Sequence, residues 1–271
     1  MKYVHAKGAR IPCLGLGTWE LRGTEAQRIT EAALDLGYTH VDTAQMYGNE
    51  EEIGKAIARS GIDRDKLFVT TKVWWENLSP AAFARSVEGS LSKLGLQHVD
   101  LLLIHWPHPD LELAVYLDEL MEMEQQGLTR FIGISNFTPE LIEQAVNLCP
   151  DLINNQVEYH PFLDQSAVLR TCRRHGLSLT AYSPIARGKV LQNDTIRQCA
   201  ENHGKTPVQV TLRWHVQQAD VIAIPKTSHA GRLAENLDIF DFELTGEEME
   251  AISRLGTAET RLVDPEFAPD W

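Results

Sequence analysis

Short apolar runs alternate along the chain with amphipathic stretches of helical period. The runs predict strands at Cys13–Leu16, Thr39–Asp42, Leu67–Thr71, Val99–His105, Phe131–Ile134, Ile153–Val157, Leu179–Ser183 and Val221–Pro225. Several are almost continuously apolar, such as Leu101–Ile104, which suits parallel strands covered on both faces. Helix starts are marked between them. Thr24, Thr206 and Thr245 each precede Gln or Glu by three residues, the spacing of a capping box. Ser79-Pro80 and Thr138-Pro139 set a cap before a proline, and Gly37 closes the first helix. Eight β-then-α units predict a single (β/α)8 TIM barrel over residues 1–271. The rival is a doubly wound sheet with a dinucleotide turn. It wants G-x-G-x-x-G, and Gly15-Leu16-Gly17 continues into Thr18, Trp19 and Glu20 instead.

In such a barrel the chemistry gathers where strands end and βα loops begin. Thr18, Asp42, Lys72, His105, Asn136, Gln156, Tyr182 and Lys226 each follow an apolar run, about one per unit. Lys72 lies in an apolar setting, where a buried ammonium is costly unless paired, and Asp42 is the candidate partner. A lysine charge next to Tyr47 is expected to lower the phenol's pKa. His105 can donate a hydrogen bond to a carbonyl oxygen. Asp42, Tyr47, Lys72 and His105 thus form a set able to protonate a developing alkoxide during carbonyl reduction. The same lysine could instead form a Schiff base, as in an aldolase, although pairing with Asp42 disfavours the neutral amine this requires.

Composition narrows the partners. The 271 residues carry a formal charge of −13, which disfavours nucleic acid and anionic membrane. The four cysteines form no C-x-x-C and are expected as free thiols. No signal-peptide core or spanning segment is apparent, so a cytoplasmic monomer acting on a small molecule is expected. Against that acidic background Lys226, Thr227, Ser228 and Arg232 cluster at a helix start, a setting for a phosphate such as the 2′-phosphate of NADP. Ser135, Asn136 and Gln156 could clamp a carboxamide, and Tyr182 offers a flat face for stacking. Trp19, Met46, Trp74 and Trp106 are candidate walls of a substrate pocket, together with His105.

Leu14–Trp19, Asp42 with Tyr47–Glu50, Thr71–Trp74, Leu103–Pro107, Gly133–Phe137, Asn155–Glu158, Ala181–Pro184 and Ile224–Lys226 together resemble the aldo-keto reductase family over nearly the full length. The chain is similar in particular to the short bacterial members of 2,5-diketo-D-gluconate reductase and methylglyoxal reductase type. The resemblance implies that Asp42, Tyr47, Lys72 and His105 are a catalytic tetrad with Tyr47 as proton donor. It implies NADPH lying across the barrel mouth. Ser135, Asn136 and Gln156 would hold the carboxamide, Tyr182 would stack on the nicotinamide, and Lys226, Ser228 and Arg232 would hold the 2′-phosphate. Glu235 and Asn236 would lie near the adenine, with Thr18, Trp19, Ser183, Ile185 and Thr227 completing the cofactor set. Small 2-oxoaldehydes such as methylglyoxal and keto-sugars such as 2,5-diketo-D-gluconate are the implied substrates. A regulatory module that binds NADPH with little turnover is the alternative within the fold. The loop after His105 is short, no long C-terminal segment is expected to wall the pocket, and Ala186-Arg187 replaces the glycine-containing turn of many relatives.

Overall fold

A computed structural model describes residues 2–258 and 260–271. It opens with an antiparallel hairpin, β1 (Tyr3–Ala6) and β2 (Ala9–Pro12). Eight parallel strands follow: β3 (Leu16–Gly17), β4 (His40–Asp42), β5 (Phe68–Val73), β6 (Val99–Ile104), β7 (Thr129–Ser135), β8 (Asn154–Glu158), β9 (Ser178–Tyr182) and β10 (Val221–Ala223). Each pairs with its sequence neighbour. The ring closes where Leu14 bridges Ala223 in parallel, Gly15 N–H donates to the Ala223 carbonyl and Gly17 N–H to that of Pro225. The (β/α)8 barrel is therefore the fold, and the doubly wound alternative falls because the first and last strands are bonded to each other.

The glycines at that seam have a packing role. A Cβ on Gly15 would stand 2.8 Å from the ring of His40, and one on Gly17 would stand 2.5 Å from the Ile224 carbonyl oxygen. The G-x-G that hints at a phosphate loop in the sequence instead lets β3 approach its neighbours.

Helices α1 (Gly23–Asp35), α2 (Glu50–Ser60), α3 (Pro80–Leu94), α4 (Leu113–Gln125), α5 (Pro139–Leu148) and α6 (Ser166–Arg174) each link consecutive strands. Two helices, α7 (Asp194–His203) and α8 (Pro207–Gln217), separate β9 from β10. α9 (Ala230–Leu237) and α10 (Gly246–Ser253) complete the outer ring. The capping boxes at Thr206 and Thr245 are formed. The one expected at Thr24 is not, because α1 starts two residues earlier than that cap implies and Arg22 occupies the cap position without a side-chain bond. Asn49 does stand at the start of α2, but its amide is spent elsewhere: it donates to the carbonyls of Thr18 and Leu21 and accepts from Thr43 Oγ1. It thereby joins two βα loops at the mouth. Every residue of β5 and β6 is buried, as the apolar runs predict for strands covered on both sides. All four cysteines are buried and free. Among the described residues no helix is long and apolar enough to cross a membrane.

Candidate active site

Asp42 ends β4, Lys72 lies within β5 one residue from its end, and Tyr47 sits in a 3₁₀ turn at Gln45–Tyr47 that hangs over both. Lys72 is fully buried. Its Nζ donates to Asp42 Oδ1 at 2.5 Å, to the Thr43 carbonyl at 2.9 Å and to Tyr47 Oη at 3.3 Å. All three ammonium hydrogens are thus placed, which is what a charge removed from water requires. Burial opposes the charge on Lys72, but Asp42 and Tyr47 outweigh it and hold its pKa above the usual lysine value. A charged amine cannot attack a carbonyl, so the arrangement weighs against Schiff-base chemistry.

For Tyr47 the balance differs from the sequence expectation. Burial raises its pKa and outweighs the lowering by Lys72, so the net shift is upward. Tyr47 therefore carries its proton at neutral pH. Its ring stands edge-on to His105 with centroids 5.7 Å apart. His105, just past β6, is held well below the usual imidazole range by burial and then by the Lys72 charge, so it is neutral. His105 Nδ1 is buried without a partner. A tautomer with its proton on Nε2 avoids stranding a buried N–H there.

The amides converge on the same point. Gln156 Nε2 donates to Asp42 Oδ2 at 2.7 Å. Asp42 is thus held on one side by Lys72 and on the other by Gln156. Asn136 Nδ2 donates to the His105 carbonyl and to Ser135 Oγ, and Ser135 Oγ donates to the Gln156 carbonyl. Tyr182 Oη donates to Asn136 Oδ1 at 2.8 Å. With its nitrogen committed to Asp42, Gln156 has its oxygen as the end available to a carboxamide N–H2. Asn136 and Ser183 adopt left-handed backbone, φ 64° and 50°, at the strand ends where these loops turn into the mouth.

A cleft of about 740 Å3 is lined by Asp42, Tyr47 and His105 and also by Lys226, Ser228 and Arg232, so the buried polar chain and the basic cluster share one space. That size is within the range of small-molecule and cofactor sites. Its walls include Thr18, Trp19, Met46, Trp106, Asn136, Gln156 and Tyr182, and, further along, Ser183, Ile185, Thr227, Glu235 and Asn236. Ser135 and Lys72 lie behind these walls, buried. Thr206 Oγ1 donates to Glu235, so that carboxylate is oriented before any ligand arrives. Among the described residues no group of three or more His, Cys, Asp or Glu could hold a metal ion.

Trp74 stands beside the residues that line the cleft, edge-on to His105 with centroids 5.2 Å apart and to Phe267 at 5.7 Å. The C-terminal segment, though short, does reach the mouth. Val263 lines the cleft, and Phe267 packs on Trp74, Trp75 and Trp106. Arg187, which the sequence reading left without a role, also lines the cleft. Ala186 and Arg187 keep a left-handed backbone, φ 47° and 51°, without glycine. Such residues cost about 1 kcal/mol or more each. The turn brings the Arg187 guanidinium over the ring of Trp19 at 5.3 Å, joining two loops of the mouth. No local pattern signalled Arg187, Val263 or Phe267, since each is brought in by chain distant in sequence.

Comparison with known proteins agrees with this geometry. A model of the aldo/keto reductase family matches residues 13–256. The chain is 41% identical over 266 residues to the methylglyoxal reductase DkgB of Escherichia coli O157:H7, covering 96% of this chain and 99% of that one. It is 40% identical over 263 residues to an aldo-keto reductase of Mycolicibacterium smegmatis, covering 95% and 94%. A crystal structure assigned as a 2,5-diketo-D-gluconic acid reductase B superposes with a TM-score of 0.98 at 50% identity, covering 100% of this chain and 97% of that one. The aldose reductase of Schistosoma japonicum superposes at 0.90 with 29% identity, covering 99% and 98%. The chain belongs to the aldo/keto reductase family and is an oxidoreductase that acts on carbonyl groups.

Proposed function

We propose that the protein reduces small aldehydes and ketones with NADPH, and that Tyr47 gives the proton. The observation that supports this most directly is the buried Asp42–Lys72–Tyr47 chain, with its 2.5 and 3.3 Å contacts, opening onto the same cleft as His105 and the basic cluster. The residues present suit a phosphorylated dinucleotide. Lys226, Ser228 and Arg232 offer charge and hydroxyl donors near the start of α9, where the helix dipole favours an anion. Ser135, Asn136 and Gln156 would hold the carboxamide, and Tyr182 would lie against the nicotinamide ring. Bound there, NADPH supplies the hydride.

The chain's own residues supply the rest. His105, neutral, donates from Nε2 to the carbonyl oxygen and fixes its direction. Tyr47 holds its proton in the resting site and releases it as negative charge grows on that oxygen. Lys72 stabilises the phenolate left behind, and Asp42 keeps Lys72 charged throughout. Trp19, Met46 and Trp106 line the reaction space and limit water. The relatives' names favour 2-oxoaldehydes such as methylglyoxal and keto-sugars such as 2,5-diketo-D-gluconate.

The test is NADPH oxidation in the presence of methylglyoxal, followed at 340 nm. Tyr47→Phe is expected to lower kcat by at least about 100-fold, within the range that general acid catalysis contributes, while NADPH affinity stays within about twofold. Turnover by that variant equal to wild type would remove Tyr47 from the role. Wild type that binds NADPH but turns over no carbonyl would leave the regulatory-module reading instead.

A further inference from the structure

Glu158 ends β8, is fully buried and has no part in the chemistry described above. Its carboxylate is nonetheless completely engaged. His160 Nε2 donates to Oε1 at 2.9 Å, the N–H of Leu262 to Oε1 at 2.7 Å and the N–H of Val263 to Oε2 at 2.9 Å. A carboxylate withdrawn from water needs such compensation, so its presence at this position calls for a reason. The reason lies in what it holds. Leu262 and Val263 belong to the C-terminal segment, more than a hundred residues away in sequence.

That segment is stitched to the loop after β8 at further points. Thr257 N–H donates to the Phe162 carbonyl, Asp164 N–H to the Thr257 carbonyl, and Thr260 Oγ1 to the Phe162 carbonyl. Beyond Glu158 the chain delivers Val263 to the cleft wall and Phe267 onto Trp74, Trp75 and Trp106. Trp74 in turn stands against His105. A continuous set of contacts therefore runs from Glu158 through the strap to the histidine that faces the carbonyl. The Asp42–Lys72–Tyr47 chain is held by other elements, and the basic cluster by α9.

We infer that Glu158 is a positioning residue for substrate: by tying down Leu262 and Val263 it fixes the wall against which a small carbonyl is held. This rests on the reductase reading. In Glu158→Gln an amide N–H2 replaces one acceptor and meets the N–H of Leu262 or Val263, donor against donor, which frees the strap. Substrates too small to reach other walls lose most, and a bulky aromatic aldehyde loses little.

The experiment compares wild type, Glu158→Gln, Phe267→Ala and the double variant. Steady-state NADPH oxidation is measured with methylglyoxal and with 4-nitrobenzaldehyde, NADPH Kd by fluorescence, and Tm by thermal melting. Each single variant should raise KM for methylglyoxal at least fivefold, with kcat, NADPH Kd and KM for 4-nitrobenzaldehyde within about twofold. The double variant should be no worse than the worse single one, because both act through one strap. An unchanged KM for methylglyoxal in Glu158→Gln would overturn the inference. So would a loss shared by both substrates and NADPH, which marks general loosening, or effects that multiply in the double variant. If Glu158→Gln does not fold, a chain ending at Arg261 gives the same readout, and unchanged selectivity there overturns the inference. Wild type inactive on every carbonyl would defeat the reductase reading itself, an outcome separate from an active wild type and an indifferent Glu158 variant.

Discussion

On the proposed reading, Arg232 is the single side chain that separates two cofactors. It is exposed on α9 yet lines the same cleft as Lys226 and Ser228, and its planar guanidinium suits two oxygens of one phosphate. NADPH has a 2′-phosphate for it to hold and NADH has none. Arg232→Ala should therefore weaken NADPH binding about 10- to 100-fold, the loss of a charge-assisted bond of ~1.5–3 kcal/mol, and leave NADH within about twofold. Fluorescence titration with both nucleotides checks this, and equal weakening would show that the cluster does not read the 2′-phosphate. Arg232 is legible in sequence as part of a basic cluster at a helix start, and the strand-exit residues from Thr18 to Lys226 because each sits by the end of an apolar run. The run ends where the strand leaves the barrel, so the next polar residue faces the mouth. Two things were hidden at this scale. The sign of the shift on Tyr47 depends on how completely it is buried, which no residue spacing reveals. The grip of Gln156 on Asp42 joins residues 114 apart, and a sequence cannot show that the nitrogen of an amide is already committed to a carboxylate so far along the chain.

At the scale of elements, strands are readable from apolar runs and helices from caps, to within one or two residues at their ends except for the first barrel strand, which starts at Leu16 rather than Cys13. The closure of the barrel was not, since it depends on backbone approach. β3 is only two residues long, and its pairing across the seam uses the bonds of Gly15 and Gly17 to Ala223 and Pro225. A side chain on Gly17 must displace the Ile224 carbonyl, which is itself the approach to the basic cluster. Gly17→Ala should therefore destabilise the fold by about 1–3 kcal/mol, the usual penalty of overpacking, and also weaken NADPH binding by displacing Lys226. Denaturant unfolding measures the first and fluorescence titration the second. A variant as stable as wild type would mean that the seam yields. The C-terminal strap was the other hidden element. Its polar, proline-containing sequence carries no helical or strand period, and its place is set by Glu158 and the tryptophans rather than by local propensity.

For the whole molecule, the buried histidines set the response to acid. His215 is fully buried in α8 between the carbonyls of Thr211 and Tyr159, and burial outweighs those acceptors, lowering its pKa to about 4. His40 is lowered by burial against the opposing pull of Asp42, and His105 well below its usual range by burial and then Lys72. In the unfolded chain each titrates near ~6.5. Between that value and its folded pKa, the unfolded chain binds the proton and the folded one does not. Stability contributed by neutral burial is therefore fully present above about pH 6.5 and is lost as pH falls through the folded values. A shift from about 6.5 to about 4 at His215 corresponds to roughly 3 kcal/mol, at 1.36 kcal/mol per unit. Urea unfolding at pH 7, 6 and 5 should thus show stability falling steadily with acid, before the carboxylates titrate. His215→Gln keeps an N–H donor for a carbonyl neighbour but takes up no proton. It should cost stability at pH 7 and show a shallower fall between pH 7 and 5. A slope identical to wild type would mean that His215 is not among the groups that couple acid to unfolding, and would leave the fall to His40 and His105.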